Sequence, residues 1–141
     1  MEFDNYFKLE IDAKNVNESF ARGVVAMFCT ELKPTISEIN DIKTAVSEAV
    51  TNSIVHGYNN NGGKISIEAG LKERLLDIKV IDNGVGIEDI DMALQPFFTT
   101  KSDEEHSGMG FTLMDSFMSY LEVKQNKPCG LIVHMQKVIK G

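Results

Sequence analysis

An α+β domain, with one sheet carrying its helices on a single face, is the fold class this sequence predicts. Three observations point there. The chain has 141 residues, enough for one compact domain with a real core. Two segments repeat apolar residues at helical spacing, while others alternate apolar and polar residues. Helical and strand-like segments are interleaved without strict alternation, which disfavours a parallel βαβ sheet and favours helices gathered on one side.

Taken in order, Phe7, Leu9 and Ile11 alternate with Lys8, Glu10 and Asp12, the pattern of a half-buried strand. Asn15 with Glu18 three residues on resembles a capping box, and Phe20, Val24, Met27, Phe28 and Leu32 then form a helical stripe. Pro34 ends that element. Thr35 and Glu38 repeat the capping signal, and a long helix is predicted from about 37 to 56, with Gly57 as its stop. "NNNGG" at 59–63 is turn chemistry. Ile65, Ile67 and Ala69 predict a strand; Leu76, Ile78 and Val80 predict another, joined through the charged turn at 72–74. Residues 88–94 read as one short helix and 95–107, polar and containing Pro96, as a mobile loop. Residues 111–120 read as a helix with Leu113, Met114, Phe117 and Met118 inward. Two final strands, 121–125 and 131–138, turn through "NKPCG". Residues 1–141 therefore read as a single domain without repeats or linkers.

Composition narrows the function. With 21 acidic and 14 basic side chains the net charge is −7, which argues against a binder of nucleic-acid backbone or anionic membrane. The acidic start "MEFDNYFKLEID" is no signal peptide, and no apolar run approaches the ~18 residues of a membrane span. A cytoplasmic protein is expected, with Cys29 and Cys129 as free thiols.

Three local features carry chemistry. Glu48 and Asn52 lie one helical turn apart in "SEAVTNSIVHGY". A carboxylate can orient a hydroxyl or take its proton, and a carboxamide oxygen can complete the oxygen shell of Mg²⁺. "DNGVG" at 82–86 follows an apolar strand. Its glycines allow a sharp turn or a close ligand, and an Asp at a strand end can accept from an exocyclic amine. "SGMG" at 107–110 opens a helix, whose N–H groups and positive end suit an anion. It is no P-loop, since G-x-x-x-x-G-K-[ST] does not occur. Singly, each also fits a bland role: a solvated helix face, a tight turn, a capping Ser. Their order is the stronger signal.

That order resembles the ATPase superfamily of gyrase, the large heat-shock chaperone, histidine kinases and the mismatch-repair ATPases. "ESFAR", "IKTAVSEAVTNSIVHGY", "QPFFTTK" and "SGMGF" are more specific and resemble the sporulation anti-sigma factors of the sigma-F type, which are also serine kinases. The resemblance spans almost the whole chain. No stretch reads as the dimerisation and phosphoacceptor helices of a sensor histidine kinase.

The resemblance implies a two-layer sandwich, a mixed, mostly antiparallel sheet with helices on one face, and ATP held between the helices and a lid. It implies that Glu48 is the catalytic carboxylate, that Asn52 is the Mg²⁺ ligand and that Asp82 holds the adenine amine. It also implies that Gly84 and Gly86 let the backbone pass the base, that Thr99, Thr100 and Lys101 belong to the lid, and that Ser107, Gly108, Met109 and Gly110 cradle phosphates. Arg22 matches a position used for partner contact, although from the sequence alone a solvated Arg on the polar side of the first helix is the preferred reading. The implied partners are a sigma factor, a small anti-anti-sigma protein whose serine is phosphorylated, and a second copy of the chain. Three positions depart from the pattern: His106 stands where relatives carry a lid Arg, Thr112 replaces a third glycine, and Ile132 stands where many members place a Thr near adenine.

Two other readings compete, a stress-response anti-sigma kinase with different partners and a binding protein that uses nucleotide only structurally. A binder needs Asn52 and Asp82 but no positioned carboxylate, so Glu48 favours the enzyme. Both termini read as those of a whole domain, against a module excised from a larger motor. His56 reads as a helix-end residue, His134 as a strand residue pointing outward or finding a core partner, and Met114 and Met118 as core.

Overall fold

The computed structural model describes residues 1–95 and 110–141. Within them the order is β1 (Asn5–Asp12), α1 (Val16–Phe28), α2 (Ile36–Asn52), β2 (Lys64–Lys72), β3 (Leu75–Asp82), α3 (Ile90–Ala93), α4 (Gly110–Phe117), β4 (Tyr120–Gln125) and β5 (Leu131–Val138). The strands form one five-stranded sheet in the order β1-β2-β3-β5-β4. All four pairings are antiparallel, so the sheet expected to be mixed and mostly antiparallel has no parallel pair among the described strands.

One face of the sheet is apolar and covered. Ile65, Ile67, Leu76, Ile78, Val80, Leu131, Val133 and Met135 are buried there, in one core with Ile42, Val46, Ala49 and Val50 of α2 and Met114 of α4. The two-residue period places the alternate residues on the open face. There Asp77 Oδ2 lies 2.7 Å from His134 Nε2 and accepts from Gln136 Nε2 at 2.7 Å. His134 thus sits opposite the helices, paired with a carboxylate. This is the two-layer arrangement the resemblance implied, with the helices on one face as the interleaved elements predicted.

The long helix follows its cap. Thr35 Oγ1 accepts from the Glu38 amide at 3.1 Å, and the Thr35 amide donates to Glu38 Oε1 at 2.9 Å, a reciprocal capping box. The helix then loosens into a π-helical turn, Ser53–Gly57. Such turns are rare and recur at functional sites.

α1 departs from expectation twice. Asn15 has helical φ and ψ and makes no side-chain cap bond; Glu18 pairs with Arg22 one turn on instead. The buried face is Ala21 and Val25, continued by Cys29 and Leu32 of the following 3₁₀ turn, whereas Phe20 is 51% and Met27 70% exposed. One position along a helix is 100° of rotation. The face with the larger side chains was expected to turn inward, but the face with small ones packs on α2, where Ala45 and Ala49 are also fully buried.

Elsewhere boundaries moved little. α3 is a single turn at Ile90–Ala93, and α4 ends at Phe117 because Tyr120 already begins β4. Met114 and Met118 are buried as expected. Both cysteines are free, Cys29 buried and Cys129 exposed. Among the described residues, no helix is long and apolar enough to cross a membrane.

Candidate functional site

The C-terminal end of α2 and its π-helical extension, the end of β3 and the loop after it, and the start of β5 converge on one pocket. It is lined by Asn52, His56, Gly57, Asp82, Gly86, Ile87 and Leu131. Asp82 ends β3 on the helix-covered face and is 1% exposed. A carboxylate so enclosed must be met by donors, and among the described residues three meet it. Ser53 Oγ donates to Oδ2 at 2.7 Å; the Gly84 and Leu131 amides donate to Oδ1 at 3.0 and 3.2 Å.

Two glycines make the approach possible. A Cβ on Gly57 would lie 3.0 Å from Asp82 Oδ2, and one on Gly84 would lie 2.2 Å from the Gly57 carbonyl oxygen. The two backbones are in contact, and the Val85 amide donates to that carbonyl at 2.9 Å. Gly57 was expected as a helix stop; the fold also uses its missing side chain to seat Asp82. Gly86 has φ +73°, which a side chain rarely adopts, so it turns the loop.

The hairpin between β4 and β5 fastens the same loop. Asn126 Nδ2 donates to the Asp82 carbonyl at 2.9 Å and to Asn83 Oδ1 at 3.1 Å, and Gln125 Nε2 donates to the Ile87 carbonyl. From the other side, the Asn83 amide donates to Tyr58 Oη at 2.8 Å, and that hydroxyl donates to the Lys64 carbonyl at 2.5 Å.

Glu48 lies one turn before Asn52, on the side of α4. Its Oε2 would stand 3.2 Å from a Cβ built on Gly110, the first residue of α4. A carboxylate beside a helix N-terminus is stabilised by the exposed amide dipoles. Arg22 pairs with Glu18 and reaches Ser47 Oγ at 3.4 Å, the residue before Glu48. It is far from the glycine boxes in sequence but adjacent to the Glu48 helix in space.

Glu48, Asn52, Asp82, Gly84, Gly86 and Gly110 thus gather around one end of α2. Thr99, Thr100, Lys101, His106, Ser107, Gly108, Met109 and the expected lid lie outside the described residues. The Ile132 assignment is corrected. Ile132 pairs with Ile81 on the open face, and the neighbouring Leu131 shares the face of Asp82 and lines the pocket. A one-residue slip moves a strand residue to the opposite face. The sequence reading also missed Ser53 and Asn126 and took His56 only as a helix end. Ser53 left one signal, a small hydroxyl between polar Asn52 and buried Ile54.

A helix pair and a five-stranded antiparallel sheet around an Asp-floored pocket define a class, and comparison identifies it. The histidine kinase-like ATPase domain matches residues 10–137. An anti-sigma F factor of Clostridium kluyveri is 54% identical over 139 residues, 99% of this chain and 98% of that one. One from Thermoanaerobacter pseudethanolicus is 55% identical over 139 residues, covering 99% and 97%. The chain belongs to the histidine kinase-like ATPase domain family, among the anti-sigma F factors. In solved structures the fold recurs in the catalytic domain of the histidine kinase ThkA, with TM-score 0.58 at 20% identity over 99% of this chain and 97% of that one. It recurs too in the RsbU and RsbW domains of Rv1364c from Mycobacterium tuberculosis, with TM-score 0.67 at 18% identity over 96% of this chain and 32% of that one.

Proposed function

We propose that this protein is an ATP-dependent serine kinase that also binds and inhibits a sporulation sigma factor, its acceptor being a serine of an anti-anti-sigma protein. The observation that carries the enzymatic part is the placement of Glu48 one turn from Asn52, beside a pocket floored by Asp82. A nucleotide-dependent binder requires Asn52 and Asp82 alone. The relatives' name, anti-sigma F factor, supports the sigma-factor part.

In this reading Asp82 accepts the adenine amine and Asn52 faces the phosphates. Asn52 offers a hard carboxamide oxygen, which fits Mg²⁺. When bound, that ion neutralises phosphate charge. Glu48 orients the acceptor hydroxyl and takes its proton as the serine oxygen bonds to the γ-phosphorus and the bond to the β–γ bridging oxygen breaks, releasing ADP. Ser107, Gly108, Met109 and Gly110 cradle phosphates and Thr99, Thr100 and Lys101 cover them, assignments that rest on the resemblance alone.

Arg22 is the proposed contact for the protein partners. The exposed Val16, Phe20 and Met27 of α1 support a homodimer through another side of the same helix. The site would operate in the cytoplasm, without nucleic acid or membrane. The deciding experiment incubates the protein with labelled ATP, Mg²⁺ and a candidate anti-anti-sigma protein and maps the phosphoserine. Transfer to a serine that depends on Glu48 supports the kinase; tight ATP binding without transfer supports the binder.

A further inference from the structure

We propose that Ser53 is a positioning residue for base recognition: its hydroxyl holds Asp82 so that the carboxylate presents one acceptor position, on Oδ2, to the nucleotide. This rests on the reading of Asp82 as the adenine contact. A carboxylate offers about four lone-pair positions. Two on Oδ1 are taken by the Gly84 and Leu131 amides, and one on Oδ2 by Ser53 Oγ at 2.7 Å. One remains. A single donor on the base, the 6-amino group of adenine, satisfies it. The adjacent pair of N–H donors on guanine requires both carboxylate oxygens at once, and Oδ1 is already filled.

Among the described residues, Asp82 is the only hydrogen-bond partner of the Ser53 hydroxyl. Ser53 is 1% exposed, as is Asp82, and it belongs to the π-helical turn that directly follows Asn52. That turn brings Ser53 to Asp82 while Asn52 and His56 line the pocket. Without the hydroxyl, Oδ2 loses its only described protein donor.

The test measures equilibrium affinity of the full chain for ATP and for purine riboside triphosphate, which lacks the 6-amino group, in wild type, Ser53→Ala and Ser53→Cys. Wild type should prefer ATP by about ten- to 150-fold, the range for a hydrogen bond to a charged group. Ser53→Ala should lose most of that preference through weaker ATP binding alone, leaving the analogue's affinity unchanged. Ser53→Cys, close in size with a weak donor, should fall between and supplies the reading where the alanine variant does not fold. Equal losses for both nucleotides, or an undiminished preference, would show a structural role only and overturn the proposal. A wild type that binds both equally would instead overturn the adenine contact itself, and Ser53's role with it.

Discussion

At the scale of single residues, Asp82 and Glu48 are two carboxylates set to different work by their surroundings. Asp82 is enclosed and triply hydrogen-bonded, so it serves as a fixed acceptor. Asp82→Ala should weaken ATP binding by about ten- to 150-fold, roughly 1.5–3 kcal/mol. Calorimetric titration of a folded variant checks this, and wild-type affinity would remove Asp82 from the base contact. Glu48, on α2, is partly buried beside the first residue of α4, and in the proposed mechanism it meets the acceptor hydroxyl. Glu48→Gln keeps size and polarity but cannot accept a proton at neutral pH. Loss of a positioned general base costs about 100- to 10,000-fold in rate. Single-turnover phosphorylation should fall by that factor, with ATP and sigma-factor binding retained. Phosphorylation near the wild-type rate would return Glu48 to an ordinary helix face.

At the scale of elements, contacts between backbones dominate. Gly84→Ala places a methyl against the Gly57 carbonyl, where the Cβ has 2.2 Å. Neither backbone can step aside without disturbing Asp82, so a loss of about 1–3 kcal/mol is expected, read as a lower Tm and weaker ATP binding. The start of α2 gives a pH-dependent prediction. Glu38 accepts from the Thr35 amide and from the Lys140 and Gly141 amides, which tie the chain's last residues to the helix cap. Those bonds, the Thr35 amide first, lower its pKa from 4.5 to about 2. A depressed carboxylate pKa contributes stability above the unfolded value, and the contribution is lost as pH falls through the folded one. Glu38→Gln should therefore lower Tm at pH 7, and the gap should close between pH 4.5 and about 2. Exposure to solvent keeps the effect modest. A gap independent of pH would mean the charge plays no part.

At the scale of the whole molecule, α1 carries the proposed partner surface and α2 the proposed catalytic and Mg²⁺-binding residues, and Arg22 spans the two through Ser47. Arg22→Glu should weaken binding of the sigma factor and the acceptor, because reversing a charge at an interface opposes complementarity. Nucleotide affinity should be unchanged. Parallel titrations with both proteins and with ATP separate these outcomes, and undiminished protein binding would take Arg22 off the interface.

Patterns that depend on neighbours in sequence were legible. The period-two strands and the Thr35 capping box appear where local chemistry placed them, because propensity and capping act within a few residues. Glu48 and Asn52 share a helix face for the same reason. Tertiary packing decided the rest. It turned α1 so that Ala21 and Val25, rather than Phe20 and Met27, meet α2, because helix rotation is set by what fits the opposing surface. It brought Leu131 rather than Ile132 to Asp82, because strand register is fixed by the partner strand. It also joined Ser53 to Asp82 across 29 positions, and the Gly57 and Gly84 backbones to each other. No periodicity encodes such contacts, since each is a distance between segments that only the folded chain makes adjacent.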